Sequence, residues 1–233
     1  MPKAVTLPFG VLVEIIRVGL LRRTLKELLA CLALVLFCLA LAAGFDLLAE
    51  TFDTGAEIFR ENGPIELVQA FIVGIAGLLF YLVAIRFGFE LFYGSLLLSL
   101  GCGLAVLREI PGCASRFYDG GVCLTAPGKD GLTVLLVAAV AILAAIRHVP
   151  FARHIRELNF FWVLPSGFAF AILILAEIME RLHSMGAEET LELAGYLVLL
   201  IFALTLNLKS EWYDARKKPE LPETGFRLPA ARR

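Results

Sequence analysis

Long apolar runs separated by short polar segments dominate the pattern of the chain. The apolar residues follow neither the alternation of a half-buried strand nor the three-to-four spacing of a helix with one polar face, so they are typical of helices that are apolar all round. About 20 helical residues cross the hydrocarbon core of a bilayer, which is about 30 Å thick. The pattern therefore predicts six spanning helices, at 28–48, 65–85, 89–107, 132–149, 158–178 and 191–208.

Lysine and arginine are distributed unevenly between the two sides of this predicted membrane protein. With the N-terminus inside the cell, 16 of the 21 Lys and Arg residues lie in inner segments and 5 in outer loops, a bias that sets orientation. We therefore expect an all-α polytopic transmembrane bundle with both termini cytoplasmic. Its predicted parts are a cytoplasmic or interfacial arm (1–27) that contains an interfacial helix, the six-helix domain (28–208) and a cytoplasmic tail (209–233).

Composition supports the same class. Hydrophobic residues make up 59% of the chain and charged residues 18%, with a mean hydropathy of +0.82. A soluble domain has about 45–50% hydrophobic and about 25% charged residues. The lipid bilayer is therefore the predicted partner. A net charge of −1 gives no basis for a nucleic-acid partner.

Small residues are spaced three or four residues apart in two of the predicted helices. Ser95, Ser99 and Gly103 form one such stripe, and Ala70, Gly74 and Gly77 lie in the preceding helix. Small side chains let two transmembrane helices approach closely. The pattern indicates close helix packing and needs no further function.

The five cysteines fall into two groups. Cys31, Cys38 and Cys102 lie inside apolar runs, where cysteine packs as a small apolar residue. Cys113 and Cys123 lie in a Gly- and Pro-rich loop on the predicted outer side. An oxidising exterior favours a disulfide between them, with two free thiols as the alternative.

Acidic residues gather where the predicted helices reach the outer side. Capping of helix N-termini accounts for Glu66, Glu188 and Glu189, and outer topology accounts for acids in loops. Neither accounts for Glu177 and Glu192, which lie about a turn inside the apolar boundary, so we expect both to face the bundle interior. A shared polar site neutralised in part by arginine is the third explanation, either as a functional site or as a purely structural buried network. Its candidate residues are Glu66, Arg108, Glu109, Glu177, Glu180, Glu188, Glu192 and Tyr196.

No motif indicates a specific catalytic chemistry. Glu180, His183 and Glu188 offer metal-ligand types, but no paired-histidine spacing supports a metal, and we predict neither a metal nor a cofactor. A Ser/His/Asp arrangement and a nucleotide-binding loop are also absent from the sequence. Whether the protein is an enzyme is left open.

Three motifs resemble those of a family of uncharacterised bacterial polytopic membrane proteins. They are "ENGPIELVQA" (61–70), "LREI" (107–110) and "AEETLELAGYLVLL" (187–200). In the family pattern an Asp and then a Phe-Asp pair follow Arg-Glu, whereas this chain has Ile110-Pro111 and a later Phe117-Tyr118-Asp119. The resemblance implies a six-helix protein of the bacterial inner (cytoplasmic) membrane and no assigned activity.

Three functions fit the sequence. Ionisable residues inside the membrane boundary favour small-solute or ion-coupled transport or binding through an outer-side acidic cavity. The alternatives are an accessory or assembly subunit that binds a protein partner, and a membrane-embedded enzyme that modifies lipid with a glutamate as general base.

Overall fold

Six α-helices make up nearly all of the part of the chain that the structure describes. A computed structural model describes residues 25–51, 64–87, 89–114, 122–148, 163–182 and 185–213, and within these ranges the fold is all-α, as predicted. The predicted arm, apart from its last residues, and the tail from residue 214 onward lie outside the described residues. The helices are α1 (Leu25–Thr51), α2 (Pro64–Arg86), α3 (Phe89–Glu109), α4 (Ala126–Arg147), α5 (Val163–Arg181) and α6 (Met185–Leu208), and a short 3-10 helix follows at Ser210–Tyr213.

Four helices in the described part of the chain are long and apolar enough to cross a membrane. These segments are Ile65–Arg86, Leu91–Glu109, Ala126–Arg147 and Gly186–Leu208. The helix α1 contains a shorter apolar segment, Leu28–Gly44. Backbone hydrogen bonds inside each helix satisfy its polar groups, which is the condition for a segment to lie in lipid.

The helix α6 lies at the centre of the bundle. It packs against α1, α2 and α5, while α2 also packs against α3. The aromatic rings of Phe80 and Phe202 meet edge to face, with centroids 5.6 Å apart, in the core between α2 and α6. Lipid is as apolar as these side chains, so close packing rather than exclusion of water stabilises such contacts in a membrane.

Small residues allow two of the closest helix contacts. A Cβ added at Gly77 of α2 would lie 3.0 Å from the Cβ of Cys102 and 3.5 Å from the carbonyl oxygen of Ser99 on α3. At Gly195 of α6 it would lie 3.0 Å from Leu173 of α5. The sequence predicted close helix packing at the small residues of these helices, and the contact of Gly77 with Ser99 and Cys102 is of this kind.

The helix α4 lies at the edge of the bundle. It packs mainly against α3, and none of its described residues is buried. It begins at Ala126, six residues before the predicted start, because the Thr125 hydroxyl accepts a hydrogen bond from the Gly128 amide and a proline occupies the first turn. The polar segment that contains Lys129 and Asp130 hides this first turn from a hydropathy pattern. The helix ends at Arg147, and the residue that caps it, His148, has a left-handed φ of 45°.

A disulfide joins the end of α3 to the start of α4. Cys113 and Cys123 are bonded with an S–S distance of 2.02 Å, as predicted. The Cys113 amide donates to the Leu124 carbonyl at 3.0 Å, and the Leu124 amide donates to the Pro111 carbonyl at 2.9 Å. We call this end of the bundle, where α3 ends and α2, α4 and α6 begin, the disulfide end.

Candidate functional site

Polar side chains of α6 enter the bundle at the disulfide end. Glu189, Glu192 and Tyr196 are spaced three and four residues apart, so they share one face of the helix. All three are buried, as are the apolar residues that continue the same face deeper into the bundle, such as Leu199 and Ala203. These three residues therefore form a polar stripe about two turns long on the helix face that forms the core.

The last turn of α3 supplies the partners of two of these residues. The Tyr196 hydroxyl donates to Glu109 Oε1 at 2.6 Å, and both residues are buried. This is a short O–H···O hydrogen bond. Arg108 Nη2 lies 2.8 Å from Glu192 Oε1, where the arginine side chain is 52% exposed and the glutamate side chain 4%. This ion pair is close but is not an aligned hydrogen bond, because Glu192 Oε1 receives no well-directed hydrogen from a described residue.

The start of α2 adds a buried amide. Gln69 Nε2 donates to the backbone oxygen of Glu189 at 3.0 Å and to its Oε2 at 2.8 Å. Both partners are acceptors, so the NH₂ group of Gln69 must face them. This fixes which end of the amide carries the nitrogen and which the oxygen. Gln69 Oε1 is left with no hydrogen-bond partner among the described residues, although the residue is fully buried.

Together these residues form the polar cluster: Gln69, Arg108, Glu109, Glu189, Glu192 and Tyr196. Its charges do not balance. Glu109, Glu189 and Glu192 are 5%, 8% and 3% exposed, and among the described residues Arg108 pairs with one of them, Glu192. Removing an ionised carboxylate from water costs several kcal/mol unless a countercharge or hydrogen bonds replace the water. With all three carboxylates ionised, the described residues of the cluster therefore carry more negative than positive charge.

Four predicted site residues meet in this cluster: Arg108, Glu109, Glu192 and Tyr196. Glu66 and Glu188 are half-buried beside it, and both interact electrostatically with Glu109. The polar cluster thus contains four of the eight candidates, and Glu66 and Glu188 lie beside it.

Glu177 and Glu180 are not members of the polar cluster, although Glu180 interacts electrostatically with Arg108 and Glu192. Glu177 Oε1 is 3.3 Å from Arg181 Nη2, and the two side chains are 46% and 77% exposed. The prediction that Glu177 faces the bundle interior is wrong, because the buried stripe of α5 ends at Ala176 and the next residue is rotated away from it by about 100°. Glu180 is exposed.

The sequence prediction omitted two members of the cluster. Glu189 was interpreted as a helix-start charge, and Gln69 was not singled out. A periodic signal for Gln69 exists, because Ile65, Gln69, Val73 and Ala76 lie on one buried face of α2. A glutamine on an otherwise apolar transmembrane face implies a polar partner on a neighbouring helix.

The described residues include no group of three His, Cys, Asp or Glu side chains arranged to hold a metal ion. His183, one of the ligand types considered from the sequence, lies outside them. Chemically, the polar cluster offers carboxylate and amide acceptors in excess of its donors.

No family model, curated protein or solved structure matches this chain. The three sequence motifs nevertheless converge in space. "ENGPIELVQA" contributes Gln69, "LREI" contributes Arg108 and Glu109, and "AEETLELAGYLVLL" contributes Glu189, Glu192 and Tyr196.

Proposed function

We propose that this chain is a protein of the bacterial inner membrane that binds a small solute at the polar cluster and couples its binding or transport to protons. In this proposal six helices span the membrane, both termini are cytoplasmic and the disulfide end faces outward. The distribution of lysine and arginine supports this orientation. An outward disulfide end also agrees with the oxidising conditions in which disulfides persist.

One observation carries the proposal: among the described residues, three buried carboxylates lie in a cluster with one half-exposed arginine, which pairs with Glu192. Ionisable groups within membrane helices are costly and commonly mark the path of an ion or a substrate. The excess negative charge is relieved when a carboxylate takes up a proton or when a cationic group binds. Either event changes the charge of the cluster, which links binding of a solute to binding of protons.

The contacts suggest separate roles for the residues. Tyr196 holds Glu109 from one side, so this carboxylate is positioned by a neutral donor rather than by a cation. Glu192 is paired with Arg108, whose exposed side chain is free to swing toward solvent. Glu192 is thus the carboxylate whose partner is most easily exchanged, and we assign it the coupling role.

The proposal is tested with purified protein reconstituted into liposomes that contain a pH-sensitive dye. A potassium gradient with valinomycin imposes a membrane potential, and the dye reports proton entry. We expect the wild-type protein to carry protons, and Glu192→Gln to reduce the flux to that of protein-free liposomes. Glu177→Gln is the matched control, because it removes an equal charge from an exposed pair outside the polar cluster.

Folding of each variant is checked by size-exclusion chromatography before reconstitution. A folded Glu192→Gln protein that carries protons as fast as wild type would refute the coupling role. Equal loss of flux in Glu177→Gln would also refute it, since the effect would then not be specific to the polar cluster.

A further inference from the structure

The polar cluster has acceptor oxygens that lack donors, and they indicate the chemistry of the solute. Gln69 Oε1 has no hydrogen-bond partner among the described residues and its side chain is fully buried. Its amide cannot be reversed to supply a donor at this position, because Nε2 is held by two acceptors of Glu189. Leaving a buried acceptor unpaired is unfavourable, so this oxygen requires a donor.

A second acceptor lies on the same helix face. Glu192 Oε1 is close to Arg108 but receives no aligned hydrogen bond from the described residues. Glu192 is three residues from Glu189, which binds Gln69, so Gln69 contacts α6 about one helical turn from Glu192. A neutral amide oxygen and an ionised carboxylate in this arrangement suit a group that carries both N–H donors and a positive charge.

We infer that the polar cluster binds a small organic cation with N–H donors, such as a primary ammonium, through Gln69 Oε1 and the Glu192 carboxylate. This inference rests on the proposed function, because it names the solute class of the same site. The ammonium supplies the countercharge that the three buried carboxylates lack and the donors that the two oxygens lack. A quaternary ammonium supplies only the charge.

Arg108 acts as an internal competitor for this ligand. Its guanidinium occupies the position of the cation beside Glu192, but its side chain is half-exposed and the contact is not an aligned hydrogen bond. An incoming ammonium displaces it toward solvent. Removing Arg108 should therefore strengthen binding of the ligand, which a purely structural ion pair would not do.

The experiment measures the melting temperature of the purified protein in detergent as a function of methylammonium chloride concentration. Tetramethylammonium chloride and sodium chloride at the same ionic strength serve as comparisons. Ligand binding to the folded state raises the melting temperature in a saturable way. We expect a saturable rise with methylammonium in wild type and in Glu177→Gln, and none with tetramethylammonium or sodium.

Variants of the cluster sharpen this test. Glu192→Gln and Gln69→Leu should weaken methylammonium binding by about tenfold or more, because each removes one acceptor of the charged donor. Arg108→Gln should start from a lower melting temperature and bind methylammonium more tightly than wild type. If Gln69→Leu does not fold, the comparison of the three salts on wild type still decides the proposal.

The outcomes distinguish the inferred solute class, a small ammonium, from the proposed coupling to protons. No methylammonium effect, or an equal effect of tetramethylammonium or sodium, overturns the inference even if proton flux is observed. Saturable methylammonium binding without proton flux supports the inference and refutes coupled transport. Weaker binding in Arg108→Gln would overturn the assignment of Arg108 as a competitor and with it the assignment of Glu192 as the ligand's carboxylate.

Discussion

Replacing Tyr196 with phenylalanine tests the buried contact that joins α3 to α6. The substitution removes one hydroxyl and leaves the aromatic ring in place. The hydroxyl donates to Glu109 Oε1 at 2.6 Å, and both residues are almost fully buried. Glu109 would keep its position in the bundle and lose its donor.

The magnitude follows from the kind of hydrogen bond. Helix–helix hydrogen bonds between neutral groups in membranes contribute on average about 0.6 kcal/mol. Hydrogen bonds to charged groups contribute about 1.5–3 kcal/mol, because the alternative is a buried charge without a partner. Since the acceptor is a buried carboxylate, we expect Tyr196→Phe to lower the free energy of unfolding by about 1.5–3 kcal/mol. This corresponds to a change of about 10- to 150-fold in the unfolding equilibrium.

Reversible unfolding in mixed micelles, with increasing sodium dodecyl sulfate and circular dichroism as the readout, measures this difference. Tyr81→Phe is the matched control, because Tyr81 is half-buried on α2 and lies outside the polar cluster. Loss of the Tyr81 hydroxyl should lower the free energy of unfolding by less than about 0.5 kcal/mol. In a Glu109→Gln background, Tyr196→Phe should cost less than in wild type, because the acceptor is then neutral. An effect of Tyr196→Phe no larger than that of Tyr81→Phe would refute the argument.

Two further predictions concern the scaffold of the site. Replacing both Cys113 and Cys123 with serine should lower the free energy of unfolding by about 2–3 kcal/mol, because the disulfide closes a loop between residues ten apart. Reductant should lower the stability of the wild-type protein but not of this variant. Equal stability of the two proteins without reductant would contradict the prediction. Gly77→Val should destabilise the protein by about 1–3 kcal/mol through overpacking against α3. Gly101→Ala is its control, because a Cβ there meets no atom within 4 Å, and a Gly77→Val protein as stable as that control would rule out the close contact.

Much of the bundle was predictable because it depends on local properties of the chain. The apolar runs predicted where helices lie, and the small residues around Gly77 predicted one close contact. The two cysteines of the outer loop predicted the disulfide. Arg108, Glu109, Glu192 and Tyr196 were among the eight candidates for a shared polar site, because ionisable residues inside a membrane boundary commonly pair with one another.

The pairing of polar groups was less predictable, because it depends on how each helix is rotated about its axis. Glu177 and Glu192 look alike in sequence, each about a turn inside an apolar run. Glu177 lies just past the buried stripe of α5 and pairs with Arg181 on its own helix. Glu192 lies on the core face of α6 and meets Arg108 from another helix.

The sequence alone determined that the chain is helical and suited to lipid, since length and apolar character are properties of each segment. Tertiary structure decided which carboxylates are buried together. Gln69 and Glu189 are 120 residues apart and acquire their roles only when α2 and α6 pack side by side. The excess of buried negative charge, on which the proposed function depends, is likewise a property of several helices at once. Whether a carboxylate has a countercharge depends on which residues lie near it in space, not on its neighbours along the chain.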